Sequence, residues 1–263
     1  MSRSTSRTDM GASHGHALHY HGHSPIHRLP AHPKIVALLV FVLAVVATPR
    51  EMFWPYAAHL LALLAAVRLS RVPFSYLGKR LVIEVPFVVF ALLMPFVATG
   101  PRVAVGPLHL SQAGLWGAWA LLAKGTLGVL ASLLLAATTE PRDVIAGFER
   151  LRLPQPLVQI MGFMIRYLQV VAGELSRMRI ARASRGFQAR SVRQWPTLGA
   201  TLGVLFIRSY ERGERVHLAM LSRGYTGRLP TLHVLTATPA QWALSGILPL
   251  VAVGVCLAGV VAR

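Results

Sequence analysis

Long apolar runs are the feature that most constrains this chain. Residues 35–48, 52–67, 81–98, 113–137 and 241–262 are almost entirely apolar, and polar segments separate them. A helix of about 20 apolar residues crosses the hydrocarbon core of a bilayer, where each backbone polar group needs an internal partner. Only 14% of the 263 residues are charged, against about 25% in soluble domains. We therefore predict an all-α integral membrane protein with about five transmembrane helices.

The first two apolar runs are short, and two prolines lie near their junction. Residues 35–48 extend only about 20 Å as a helix, at about 1.5 Å per residue. Pro49 lies between this run and the next, and Pro55 lies near the start of the next. Because proline breaks a helix interior, the sequence predicts a tight hairpin of two short helices around Pro49 and Pro55.

Between the fourth and fifth apolar runs the composition changes. Residues 140–230 contain fifteen arginines, no lysine and six acidic residues. Two apolar stretches, 157–172 and 198–207, each continue into a helical pattern of arginine and glutamate, which predicts two long amphipathic helices. Pro154, Pro156 and Pro196 stand where proline opens a helix, and Gly186 and Gly224 stand where glycine ends one.

Basic residues in the short loops predict an orientation. The loop after the second run carries four of them, whereas the turns on the other side carry only Arg50 or Arg102. Because loops rich in lysine and arginine stay in the cytoplasm, we expect the amino terminus and the arginine-rich region there. The expected organisation is a disordered, His-rich cytoplasmic tail (1–33), a membrane domain of four helices (34–138), a cytoplasmic region with the amphipathic helices (139–238) and a C-terminal transmembrane helix (239–263).

One sequence pattern occurs twice, at the end of each amphipathic helix. Its form is Ala-x-x-Ser-Arg-Gly-aromatic, with Ala181, Ser184, Arg185, Gly186 and Phe187 in the first copy and Ala219, Ser222, Arg223, Gly224 and Tyr225 in the second. Glycine adopts the left-handed conformation that stops a helix, which leaves the preceding arginine at its tip. An arginine at one helix end also complements the helix dipole. Two matching tips, however, predict two matching sockets on two homologous cytoplasmic partners.

The residues of this repeated pattern resemble those of a known family. Together with the opening Ser24-Pro25-Ile26-His27-Arg28-Leu29, they resemble the transmembrane T component of energy-coupling factor (ECF) transporters, and within that family CbiQ, the cobalt-uptake member. The resemblance extends from about residue 24 to residue 228. Further carriers are Arg166-Tyr167, Glu174 and Arg208-Ser209-Tyr210-Glu211-Arg212.

The resemblance implies a non-catalytic scaffold that couples ATP hydrolysis to cobalt(II) uptake. The two amphipathic helices then act as coupling helices, and each tip docks in a groove of one ATP-binding subunit. The docking residues that it implies are Arg185, Arg223, Ser184, Gly186, Ser222, Gly224, Ala181 and Ala219. Arg166, Glu174, Arg208 and Glu211 are implied to support the coupling helices.

The same resemblance implies the partners and the location. The partners are two ATP-binding cassette ATPases that resemble CbiO and a substrate-binding membrane subunit that resembles CbiM, with or without a small CbiN. The chain lacks the phosphate-binding pattern G-x-x-x-x-G-K-[ST], so we expect it to bind no cofactor itself and its partners to bind ATP and Mg. We find no catalytic constellation and expect no enzyme activity. The expected location is the bacterial inner membrane.

Other functions remain open at this stage. His14, His16, His19, His21 and His23 could bind a divalent metal weakly, although a disordered tail of freely titrating histidines is the favoured interpretation. With Lys124, an unusual charge inside an apolar run, they allow a self-sufficient metal permease. Nickel or vitamin uptake by the same scaffold is a further alternative. Nucleic-acid binding is disfavoured because acidic residues alternate with the arginines of the amphipathic helices.

Overall fold

The computed structural model describes residues 24, 26–99, 101–105, 108–187, 194–227 and 237–262. The described residues form two compact units, one within residues 1–147 and 235–263 and the other within residues 148–234. Almost all regular structure in the described residues is helical, which confirms the predicted all-α membrane fold.

The elements follow one another in a simple order. They are α1 (Ala31–Ala47), α2 (Trp54–Ser70), α3 (Phe74–Arg80), a 3₁₀ turn (Leu81–Glu84), α4 (Val85–Val97), β1 (Arg102–Val105), β2 (Leu108–Ser111), α5 (Gln112–Thr138), α6 (Pro141–Arg150), α7 (Gln155–Ser184), α8 (Trp195–Leu221) and α9 (Pro239–Val261). Pro156 and Pro196 lie in the first turns of α7 and α8, as their positions predict.

Four of the described helical segments are long and apolar enough to cross a membrane. They are Phe74–Val97, Gln112–Thr138, Gln155–Ser184 and Pro239–Val261, while α1 is apolar but shorter. The two short helices predicted on either side of Pro49 are α1 and α2, but each packs mainly against α5 and α9 rather than against the other. Because the first half of α7 is apolar, α7 also meets this criterion. The number of spans and the cytoplasmic position of α7 therefore stay predictions.

The core of the first unit lies among α1, α2, α5 and α9. Phe41, Val45, Leu63 and Val67 are almost fully buried there. Many leucines and valines on the outer faces of these helices are exposed. That distribution suits helices surrounded by lipid, because a bilayer does not penalise apolar outer surfaces.

Two lysines join α1 and α5. The Nζ of Lys34, in the first turn of α1, donates to the carbonyl of Thr138 at 2.9 Å and to the hydroxyl of Thr139 at 3.1 Å. The Nζ of Lys124, in α5, donates to the carbonyl of Val46 at 2.6 Å, in the last turn of α1. Each lysine satisfies a carbonyl that its partner helix leaves free at its C-terminus. The two helices are thus antiparallel, and the role of Lys124 shown here lies within this chain.

Glu84 lies in the 3₁₀ turn within the third apolar run. It is buried and accepts a hydrogen bond at 2.7 Å from the hydroxyl of Thr126 in α5. Close packing of α5 against the preceding segment explains this, because the side chain meets a polar partner within the protein before it reaches water.

A small hairpin replaces the loop expected after the third apolar run. β1 and β2 pair antiparallel, with Arg102 opposite Ser111 and Val105 opposite Leu108. Valines at 103 and 105 favour a strand. Ser111 then serves as the N-cap of α5, because its hydroxyl accepts from the backbone N–H of Gly114 at 3.4 Å.

Candidate functional site

The second unit contains α7, α8 and the two repeated tips. At the end of α7 the N–H of Phe187 donates to the carbonyl of Arg182 at 3.1 Å, and the N–H of Gly186 donates to the carbonyl of Ala183 at 3.0 Å. Gly186 has φ +74°. This pair of bonds around a left-handed glycine is the Schellman motif, and it ends the helix where the sequence predicts.

The second tip repeats this geometry. The N–H of Tyr225 donates to the carbonyl of Met220 at 3.0 Å, the N–H of Gly224 donates to that of Leu221 at 3.0 Å, and Gly224 has φ +80°. Arg223 is exposed at this tip, as Arg185 is at the first. The two arginines therefore stand on backbones of the same shape, one residue before a left-handed glycine.

The remaining motif residues surround the arginines. Ala181, Ser184 and Gly186 are exposed at the first tip, and Ala219, Ser222 and Gly224 are exposed at the second. The serine hydroxyls donate within their own helices, from Ser184 to the carbonyl of Ile180 at 2.9 Å and from Ser222 to that of Ala219 at 3.0 Å. The structure thus brings the predicted residues of each copy together on one accessible helix end.

The two tips differ in what holds the aromatic residue. At the first tip the guanidinium of Arg182 lies 5.5 Å from the ring centroid of Phe187, on the same helix end. At the second tip the hydroxyl of Tyr225 hydrogen-bonds to the side-chain oxygen of Gln159, near the start of α7. The Nε2 of Gln159 also donates to the carbonyl of Gly227 at 2.7 Å. The second tip is therefore fastened to the other amphipathic helix.

Glu174 connects the two helices near their middle. Its carboxylate accepts from Arg208 of α8 at 2.5 Å and from Arg177 of its own helix at 2.6 Å. The Glu174 side chain is only 16% exposed, whereas that of Arg208 is 57% exposed. Two of the predicted supporting residues are thus brought together. Of the others, Glu211 lies 3.8 Å from Arg215 on α8, and Arg166 is exposed on α7.

These contacts define the course of the helices. Residue 174 meets residue 208, and residue 159 meets residue 225, so the two helices run antiparallel. Arg185 lies 11 residues beyond the first contact along α7, and Arg223 lies 15 residues beyond it along α8. At about 1.5 Å per residue these are arms of about 17 Å and about 22 Å. The arginine tips therefore point to opposite ends of the helix pair.

The predicted metal binders lie elsewhere in the sequence. His14, His16, His19, His21 and His23 are outside the described residues. Among the residues that the structure describes, no group of three or more histidine, cysteine, aspartate or glutamate side chains is close enough to hold a metal ion.

Gln159 is the residue that the sequence analysis missed at this site. Its partners Tyr225 and Gly227 are 66 and 68 residues away in the sequence. A glutamine within an apolar helical stretch gives no local sign of such a long-range contact.

Comparison with known proteins agrees with this architecture. The family described as "CbiQ: Cobalt transport protein" matches residues 22–233. The chain belongs to this family. The matched segment contains both tips and the opening motif, and the resemblance stated from the sequence is confirmed.

Individual relatives fall in the same group. The chain is 29% identical over 220 residues to the energy-coupling factor transporter transmembrane protein EcfT of Bacillus subtilis, which covers 78% of this chain and 82% of that protein. It is 26% identical over 179 residues to the cobalt transport protein CbiQ of Rhodobacter capsulatus, covering 66% and 72%. An uncharacterized protein of Methanocaldococcus jannaschii is 34% identical over 117 residues, 44% of each chain.

Proposed function

We propose that this chain is the non-catalytic membrane scaffold of an energy-coupling factor transporter that takes up cobalt(II). In this role α7 and α8 are the coupling helices. Two CbiO-like ATPases bind their tips, and a CbiM-like substrate-binding subunit, with or without a CbiN-like protein, accompanies the membrane helices. ATP and Mg belong to the ATPases. The amino terminus, α7 and α8 face the cytoplasm of a bacterial cell.

The observation that carries this proposal is the pair of matching tips at opposite ends of an antiparallel helix pair. Arg185 and Arg223 have the same backbone setting and are both exposed. An ATPase dimer offers two copies of the same socket, one on each subunit. Two matching tips at opposite ends of the helix pair could each enter one of them. A guanidinium group offers five fixed donors to the carboxylates and carbonyls of a groove, which makes each arginine suited to the centre of an interface.

Exposed apolar side chains on α7 support a contact with another subunit or with lipid. Ile160, Met164 and Leu168 recur at helical spacing, and each is about 60% exposed. In the second unit α8 leaves this stripe uncovered, so packing among the described residues of that unit does not explain it.

We propose cobalt rather than nickel or a vitamin as the transported substrate because of the description of the matching family. The matching family is described as a cobalt transport protein, and the R. capsulatus relative carries the same description. The EcfT relatives carry no substrate in their names. Nickel is therefore the alternative to test, with uptake of each radiolabelled metal measured separately in cells that express the chain with its neighbouring subunits.

The first experiment is a pull-down from mild detergent with the full chain as bait. We expect an ATPase to copurify with the wild type and to be lost from the double variant Arg185→Ala with Arg223→Ala. Loss of two interface arginines, each contributing about 2 kcal/mol or more, lowers the affinity at least about a thousandfold.

The matched control removes two other exposed arginines of the same helices, Arg179→Ala with Arg215→Ala. This control should retain the ATPase. Equal loss from both double variants would show that general positive charge, and not the tips, binds the partner. Absence of an ATPase from the wild type would contradict the coupling role and favour a self-sufficient permease.

A further inference from the structure

A large apolar cleft lies in the membrane unit among α1, α2, α5 and α9. Its volume is about 420 Å³, which is within the range of ligand pockets. Phe41 and Leu63 are fully buried at its floor. Leu69 of α2 and Ile247 of α9 line it while remaining 57% and 56% exposed. The cleft is therefore open to the outside between α2 and α9.

The chemistry of the lining excludes most ligands. Apart from Lys34, Thr138 and Ser245, the residues that line the cleft are apolar, and none of them is acidic. The Nζ of Lys34 is already bonded to the Thr138 carbonyl and the Thr139 hydroxyl. Metal ions and polar solutes would find too few partners here. An alkyl chain, by contrast, gains van der Waals contacts that an empty cleft leaves unmade.

Two arginines are next in the sequence to residues that line the cleft. Arg28 is next to Leu29, which lines the cleft, and Arg68 is next to the lining residue Leu69. Both arginines are exposed, and the guanidinium of Arg68 lies 5.2 Å from the Phe74 ring centroid. Arginine and lysine in short loops mark the cytoplasmic side, whose leaflet attracts basic groups through its anionic lipids.

We propose that this cleft binds one acyl chain of an anionic phospholipid, whose phosphate group is held by Arg28 and Arg68. The apolar walls select an alkyl chain, the opening between α2 and α9 admits it from the bilayer, and the two guanidinium groups select a negative headgroup. This site lies wholly within the first unit and does not depend on the function proposed above.

Native mass spectrometry tests this assignment. The full chain, with any subunits that accompany it, is extracted in mild detergent and mixed with equal amounts of phosphatidylglycerol and phosphatidylethanolamine. We expect one retained lipid per chain, with phosphatidylglycerol preferred. The variant Ala65→Phe places a ring in the cleft from its exposed wall and should lose the retained lipid. Ala258→Phe, on an exposed position of α9 outside the cleft, should keep it.

The arginines are tested separately. Arg28→Gln with Arg68→Gln should keep the bound lipid but lower the preference for phosphatidylglycerol by about fivefold for each arginine removed. Arg50→Gln, at the opposite end of α1, should leave the preference unchanged. Equal lipid retention by Ala65→Phe and Ala258→Phe would overturn the proposal. The proposal would also be wrong if Ala65→Phe released a copurified subunit and no lipid, because a protein helix would then occupy the cleft.

Discussion

The absence of a side chain at Gly114 allows α4 and α5 to pack closely together. A Cβ at this position would lie 2.6 Å from the carbonyl oxygen of Met94 and 2.7 Å from the Cα of Pro95, both backbone atoms of α4. Gly114→Ala should therefore push α4 from α5 and lower the free energy of unfolding by about 1–3 kcal/mol. Thermal unfolding of the purified chain in detergent measures this effect.

The matched control lies on the same helix. A Cβ at Gly128 would meet no atom within 4 Å, so Gly128→Ala should leave the melting temperature unchanged or raise it through better helix propensity. Equal destabilisation by both substitutions would mean that glycine in α5 serves flexibility and not close packing.

Lys124 provides a hydrogen-bond donor to a backbone carbonyl at the C-terminal end of α1. Its bond to the Val46 carbonyl satisfies an acceptor that α1 cannot satisfy itself. Lys124→Met keeps a side chain of similar length but removes the donor, and should lower the free energy of unfolding by about 1–3 kcal/mol. Lys79→Met, at an exposed position of α3, should change it by less than about 0.5 kcal/mol. Unfolding in detergent at matched lipid content compares the two, and equal effects would contradict the capping role.

At the scale of elements, the second tip depends on α7 as well as on its own helix. Gln159 holds both Tyr225 and Gly227, which fixes the segment that follows Arg223. Gln159→Ala should loosen this tip and reduce ATPase retention in the pull-down several-fold, without affecting membrane insertion. Gln169→Ala, at an exposed position of the same helix, should behave as wild type. Full retention by Gln159→Ala would show that the Schellman turn alone positions Arg223.

The same elements show what the sequence could predict. A Schellman turn depends on six consecutive residues, so Gly186 and Gly224 marked both helix ends correctly. The apolar runs likewise marked the positions of α1, α2, α4, α5 and α9, because a helix in contact with lipid must present apolar side chains. Contacts such as Lys34 with Thr138, 104 residues apart, depend on which helices pack together, and no local pattern encodes that. The hairpin of β1 and β2 was missed because two four-residue strands produce only a weak periodic signal.

At the scale of the whole molecule, the proposed coupling role requires the two tips to change their relative position as the ATPases close. The helices α7 and α8 meet at Glu174 and Arg208, and motion about this contact moves both arms. A cross-link there should hold the tips in one arrangement while leaving them exposed. We therefore expect the pair Glu174→Cys and Arg208→Cys, joined by a cleavable bismaleimide, to retain the ATPases and lose cobalt uptake.

The chain is well suited to this experiment because its single cysteine, Cys256, is buried in α9 and can be replaced by alanine. Reductive cleavage of the linker should restore uptake. This result would show that uptake was lost because of the cross-link and not because of the missing Glu174–Arg208 ion pair. That loss alone should cost about 1 kcal/mol or less, since Arg208 is largely exposed. A control linker between Glu214→Cys and Leu218→Cys, one turn apart on α8, should leave uptake intact. If the protein cross-linked between positions 174 and 208 still took up cobalt, α7 and α8 would move as one rigid body. Coupling would then depend on motion of the helix pair as a whole.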